Sequence, residues 1–179
     1  MSHTQKINFF DVSYSREICG VCEVGILDGD NEKNECAYLS FDITKKDVWE
    51  ATVSNEEEKE VHFLPVDHNI PISRSDGKEA KRCDGILFSQ KEEQQAIFFI
   101  ELKNRKGKKD KRWREKGIEQ LISTIKIFSS CHDIHKFNQR EAFVCNRKMP
   151  FYQYGNLEEL EKFKKKYHVS LNVSPSSKL

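Results

Sequence analysis

The sequence predicts an α/β fold, a mixed β-sheet flanked by helices with an added amino-terminal β-hairpin. Three observations carry this expectation. Two apolar runs, 83–88 and 96–103, are separated by a short polar stretch and read as an antiparallel hairpin. Downstream, Ile118, Leu121, Ile122, Ile125 and Phe128 recur at three- and four-residue steps, the spacing of a helix with one apolar face. A further short apolar run, 142–146, then reads as a strand. The 179 residues have room for one domain with a real core. Leu, Ile, Val and Phe make up 46 of them, above the level at which chains of high net charge fail to fold.

In chain order, residues 17–27 and 35–43 are β-like runs joined by the turn-rich segment 28–34, which predicts the amino-terminal hairpin. Thr44 is placed to cap a short helix running through Asp47, Val48, Trp49, Glu50 and Val53, and Val61 to Val66 reads as a strand. Residues 67–81 are polar and irregular, as in a loop. The helix after the central hairpin is expected to begin near Lys111. Asn156 then caps a helix with Glu159 three residues on, and 169–173 closes the fold as a last strand. The expected organisation is one domain: a hairpin extension over 1–43, a core over 44–146 and a helix–strand unit over 147–179.

Several function classes are set aside by composition and motif. Charged residues reach 33%, and the longest apolar run is the five residues 96–100, against the ~20 that a membrane helix needs. No membrane partner is expected. The first eleven residues lack a basic region followed by a long apolar one, which predicts a cytoplasmic, reducing setting and six free thiols. Ser177, Lys178 and Leu179 match a peroxisomal address, a three-residue pattern that carries little weight. Cys19 and Cys22 form a C-x-x-C with no second pair at finger spacing. Cys131, His132 and His135 read as residues of a helix end, and His62 and His68 as structural. Asp28, Asp30 and Glu32 begin like a calcium loop, but Lys33 stands where glycine is required and Leu39 where the last glutamate belongs. No nucleotide-binding glycine loop of the Walker type occurs.

The net charge of +1 conceals a strong asymmetry. From Lys103 to Lys116 there are nine Lys or Arg against Asp110 and Glu115, whereas Glu23 to Glu60 holds twelve acids against four lysines. An acidic run is ordinarily a solvated face. The basic run, with Trp113 set between Arg112 and Arg114, points to a polyanion, because an aromatic ring among cations offers stacking as well as charge. Arg105, Lys106, Lys108, Lys109, Lys111, Arg112, Trp113 and Arg114 are the expected nucleic-acid contacts.

Immediately before that run the hairpin presents chemistry. Residues two apart on a strand share a face, so Glu101 and Lys103 project with Ile97 and Phe99 while Phe98, Ile100 and Leu102 face the other way. If Phe88 pairs with Ile97, Asp84 falls opposite Glu101 on the same face. Two adjacent carboxylates repel unless a proton or a cation lies between them. Oxygen ligands of this kind suit magnesium, with manganese as its substitute, and Lys103 is placed to orient a water or offset charge on a phosphate. Hydrolysis of a phosphodiester fits these parts.

Asp84, sixteen intervening residues, then Glu101, Leu102 and Lys103 at the end of an apolar strand, followed by a helix carrying Gln120, resembles the PD-(D/E)XK nuclease superfamily, the restriction-endonuclease-like fold. The resemblance covers residues 44–146. It implies a helix, a three-stranded meander, a second helix and a fourth strand. It further implies magnesium held by Asp84 and Glu101, a water-assisting Lys103, a glutamate on the first helix for which Glu50 is the candidate, and Gln120 beside the site. Cys83 stands where the motif's name has proline. The implied substrate is DNA ahead of RNA, and by analogy alone the setting is bacterial defence, restriction or repair. The alternative is a non-catalytic relative that binds nucleic acid through the basic run or docks on a protein partner or a second copy of itself.

Overall fold

The structure, a computed structural model, describes residues 7–89, 95–103, 112–148 and 156–179. Its strands in chain order are β1 (Glu17–Cys19), β2 (Glu23–Leu27), β3 (Tyr38–Ser40), β4 (Ala51–Ser54), β5 (Val61–Pro65), β6 (Gly85–Phe88), β7 (Ala96–Leu102), β8 (Gln139–Cys145), β9 (Ser170–Asn172) and β10 (Ser176–Lys178). Two α-helices, α1 (Trp113–Cys131) and α2 (Leu157–Tyr167), complete the described elements apart from short 3-10 turns. All seven residues of β7 are buried. A strand covered on both faces needs a layer on each side, and its alternation explains how both are filled.

The first sheet runs β1-β5-β6-β7-β8-β9. Its β5, β6 and β7 form an antiparallel meander, and β8 returns parallel to β7 across α1. On one face Ile97 and Phe99 pack with Leu121, Ile125 and Phe128 of α1, Phe163 of α2, and Ile7 and Phe9 of the amino-terminal segment. On the other face Phe98, Ile100 and Leu102 pack with Val24, Ile26, Leu39 and Val53. Those four belong to the second sheet, ordered β10-β4-β2-β3. The fold is therefore α/β in three layers: helices, mixed sheet, smaller sheet.

The predicted alternation of β7 is present, and so is the register, with Phe88 paired to Ile97 and Gly85 to Ile100. Asp84 directly precedes β6 and Lys103 directly follows β7. Three expectations for the amino-terminal half are corrected. Residues 17–27 are two strands in different sheets, with β1 paired to β5 and only β2 paired to β3. Gly20 and two further residues interrupt the run, and glycine weakens a strand interior. The expected helix from Thr44 to Val53 is a 3-10 helix over Ile43–Val48, capped by the Asp42 carboxylate, which accepts the Thr44 amide at 3.1 Å. Val53 lies instead in β4, where Ala51 and Val53 turn inward and Thr52 and Ser54 outward, a period of two. Strand pairing also crosses the boundaries expected at 43 and 146, since β4 and β10 both join the sheet of the amino-terminal hairpin. No α-helix precedes the meander among the described residues, where the resemblance implies one. None of the described helices is long and apolar enough to cross a membrane.

Gly117 sets the approach of α1 to the sheet. A Cβ there would lie 2.8 Å from Val144 Cγ1 and 3.3 Å from Glu101 Cγ. Gly117→Ala gains about 1 kcal/mol of helix propensity but pushes α1 off β7 and β8 at Glu101, an overpacking cost of about 1–3 kcal/mol. The expected result is a protein no more stable than the parent, read by urea unfolding; a clear gain in stability would show that the close approach is unimportant.

Candidate active site

The ends of β6 and β7 and the first turns of α1 bring Asp84, Glu101, Lys103 and Gln120 together. Lys103 Nζ donates to Glu101 Oε1 and, at 2.9 Å, to Gln120 Oε1. The Leu102 amide donates to Asp84 Oδ2. Gln120 Nε2 in turn donates to the Arg82 carbonyl at 3.0 Å. Thr124, one turn further along α1, accepts the Cys83 amide at 2.8 Å and donates back to the Gln120 carbonyl at 3.2 Å. Helix α1 thus grips residues 82 and 83 by two hydrogen bonds immediately ahead of Asp84. This explains why Gln120, in line with Gly117 and Thr124, sits on the sheet-facing side although that line is not apolar.

Thr124→Val leaves the buried Cys83 amide without its acceptor. The expected cost is about 1–3 kcal/mol. Thermal melts check this, and a variant as stable as the parent would refute the anchoring role.

The electrostatics of the pair are unfavourable. Glu101 is 0% exposed, and its Oε2 has no hydrogen-bond partner. Burial holds the Glu101 carboxyl well above its usual range, with the Asp84 charge adding to the effect and Lys103 opposing it. Asp84 is pushed up to about 7, by burial first and next by the negative charge of Asp28; the Leu102 amide and Lys103 pull the other way. Near neutral pH the two acids therefore hold a proton that ordinary carboxylates would have lost.

A hard divalent cation fits this donor set. The orphaned Glu101 Oε2 needs a positive partner, and the Asp84 carboxylate lies near enough to disfavour its charge. Among the described residues no three His, Cys, Asp or Glu side chains close on one metal-sized space. Magnesium would rest on Asp84 and Glu101 and complete its shell with water and phosphate oxygens, which is its usual habit. Access is from the side of Asp84 and Lys103, both part-exposed, the Lys103 side chain at 18%.

The remaining expected residues divide three ways. Glu50 is off the site: it follows the 3-10 helix, is buried, and its Oε2 accepts the Asp28 amide at 2.9 Å. Trp113, expected to stack on a base, is 4% exposed and lies in the core between α1 and the first sheet. Its neighbours Arg112 and Arg114 made it look like a surface residue, but as the first helical residue it turns inward in register with Gly117 and Leu121. Arg112 is exposed and Arg114 half-buried at the start of α1, beside the site. Arg105, Lys106, Lys108, Lys109 and Lys111 lie outside the described residues.

Two groups of charges were not legible in the sequence. Asp28, which begins the failed calcium loop, has a charge that reaches both Asp84 and Glu101. Arg147 and Lys148 follow β8 and lie beside Glu50, whose carboxyl they draw down against the rise that burial causes, and Arg147 Nη1 donates to the Asp47 carbonyl at 2.7 Å. The signal for these two cations was their place just past a strand parallel to β7. The C-x-x-C is no metal pair here, since Cys19 is buried in β1 and Cys22 exposed beyond it, both as free thiols. No protein-family model, curated protein or solved structure matches this chain, so the reading of the site rests on the geometry of Asp84, Glu101, Lys103 and Gln120.

Proposed function

We propose that this protein is a magnesium-dependent nuclease of the restriction-endonuclease-like type, hydrolysing phosphodiester bonds in DNA, with RNA as the second substrate class. The observation that carries the reading is the buried, unpartnered Glu101 Oε2 beside an Asp84 whose carboxyl is pushed up to about 7. In a site without ligand chemistry the two acids would cost free energy for no return.

The chemistry divides among few residues. Asp84 and Glu101 would hold the metal, which supplies Lewis acidity toward the phosphoryl oxygen and lowers the pKa of a water. Among the described residues Lys103 is the ammonium that pairs with Glu101; from there it can hold the attacking water in line or meet the charge that grows on the phosphate. Gln120 keeps Lys103 in place and, through the Arg82 carbonyl, ties it to the segment that carries Asp84. Arg112 and Arg114 stand at the start of α1, where cations would meet the phosphates flanking the scissile bond.

The test is incubation of purified protein with labelled DNA and RNA, with and without magnesium, beside Asp84→Ala and Lys103→Ala. Metal-dependent cleavage lost in both variants supports the reading, and equal cleavage by all three proteins overturns it. One observation favours a second reading. Glu101 is fully enclosed and its Oε1 already pairs with Lys103, an arrangement that a purely structural ion pair would also show. A non-catalytic nucleic-acid-binding module would bind in a salt-sensitive way, survive Asp84→Ala, and cut nothing.

A further inference from the structure

The carboxyl-terminal ends of α1 and α2 meet around a cleft of about 460 Å³. Helix α1 begins beside Lys103 and runs back across the sheet to the start of β8, so the cleft lies at the opposite end of the sheet from Asp84. The 19 residues of α1 span roughly 28 Å at the usual rise. Hydrogen bonds from the core fix its walls. Arg140 donates from Nε to the His168 carbonyl at 2.9 Å and from Nη1 to the Phe137 carbonyl at 2.9 Å, which ties the end of α2 to the segment after α1. His132 is engaged in packing: its Nε2 accepts the Phe9 amide at 3.1 Å, and its ring lies against Phe10 and Phe128.

The charge inside the cleft is mostly positive. Lys126 Nζ lies 5.9 Å and Lys166 Nζ 5.5 Å from the centre of the Tyr167 ring, one ammonium from each helix. Both lysines are exposed, neither makes an ion pair among the described residues, and no acid stands three or four residues from either along its own helix. His135 and His168 line the same cleft with ring centres 4.8 Å apart. Asp133, the acid in the lining, accepts the His135 amide on Oδ1 at 3.0 Å and pairs with none of these four side chains. A helix dipole accounts for Lys166, which ends a run of three lysines in the last turn of α2. It does not account for Lys126, which stands ahead of the last turn of α1. Two ammoniums gathered on one ring repel each other, and an anion between them turns that repulsion into attraction.

The donors select the kind of anion. A planar carboxylate is matched best by the paired N–H groups of arginine, whereas lysines and imidazoles converging from two helices and a turn suit the spread oxygens of a phosphate. Ile125, Ile134 and Tyr167 give the cleft an apolar wall, and its volume is that of a small-molecule site. We propose that this cleft binds a small organic phosphate ester, with the phosphate on Lys126 and Lys166 beside His135 and His168 and the organic body against the apolar wall. The site is separate from the Asp84–Glu101 pair and depends on neither the metal nor the nuclease reading.

NMR spectra of the histidine rings of the full chain, recorded without magnesium, test it with phenyl phosphate, inorganic phosphate and phenol. Phenyl phosphate should shift the His135 and His168 rings and bind more tightly than inorganic phosphate, and phenol should leave them unmoved. Lys126→Ala and Lys166→Ala should each weaken phenyl phosphate binding about tenfold, the size of one charge-assisted hydrogen bond. Lys126→Arg should restore most of the loss. Lys162→Ala removes a lysine of α2 that pairs with Glu158 instead, and it should bind like the parent. Unchanged phenyl phosphate binding in the double variant Lys126→Ala, Lys166→Ala overturns the assignment. So does phenol binding as tightly as phenyl phosphate, or the absence of any ring shift at millimolar phenyl phosphate. Shifts produced by single-stranded DNA and by neither small phosphate would overturn it in favour of a polyanion-binding surface.

Discussion

On the proposed nuclease function, Asp84→Asn should lower magnesium-dependent cleavage by about three orders of magnitude, the scale of losing several kcal/mol of transition-state stabilisation, and should at the same time make the metal-free protein more stable at pH 8. The second effect has the less familiar sign. The Asp84 carboxyl stands at about 7 in the folded protein against an ordinary 3.8. The folded state thus holds this proton more tightly than the unfolded chain does. Below pH 4 both states are protonated and the group costs nothing; the penalty grows as pH rises and is complete above pH 7. Burial is the largest cause of this rise and the Asp28 charge the next. The metal-free parent should therefore lose melting temperature relative to Asp84→Asn between pH 4 and 8. Magnesium at pH 8 should restore the parent and leave the variant unmoved. Calorimetric melts of both proteins across that range check the sign, and a difference between them that stays flat with pH would refute it.

Lys103→Met has the second-largest expected effect. Its ammonium pairs with the fully buried Glu101 and is held by Gln120. Removing one partner of a buried ion pair leaves the other charge uncompensated, at about 3–5 kcal/mol. Because burial already holds Glu101 above its usual range and Lys103 works against that rise, losing the lysine drives Glu101 further toward its protonated form. The destabilisation should be larger at pH 8 than at pH 5, because lower pH favours the protonated form of Glu101. The double variant Glu101→Gln, Lys103→Met removes both charges and should recover most of the lost stability. It should recover none of the cleavage. Urea unfolding of the single and double variants at the two pH values measures this, and a double variant as unstable as Lys103→Met would mean that the pair is not the source of the cost.

The central hairpin was legible in the sequence because its information is local. Apolar residues flank a short polar connection, the strand period assigns faces, and one pairing fixes the rest, so Asp84, Glu101 and Lys103 could be set side by side before the fold was known. Helix α1 was legible for the same reason. What stayed hidden depends on contacts distant in sequence. Nothing near Gly20 tells which of two sheets each half of 17–27 will join, since the partners of β1 and β2 lie at residues 61–63, 38–40 and 51–54. Trp113 shows the limit of charge as a guide: the arginines on either side in sequence say nothing of the side on which the first helical residue turns. Glu50 was legible as an acid ahead of the meander but not as the acceptor of the Asp28 amide, a contact between residues 22 apart in sequence.

The proposed function requires a divalent cation between Asp84 and Glu101. Crystals soaked in manganese and measured at its absorption edge would locate it. The expected result is an anomalous peak in ligation distance of Glu101 Oε2 and the Asp84 carboxylate, with Lys103 still on Glu101 Oε1, and no such peak in Asp84→Asn. A parent protein with no manganese at this pair, in crystals that leave the site open to solvent, would contradict it.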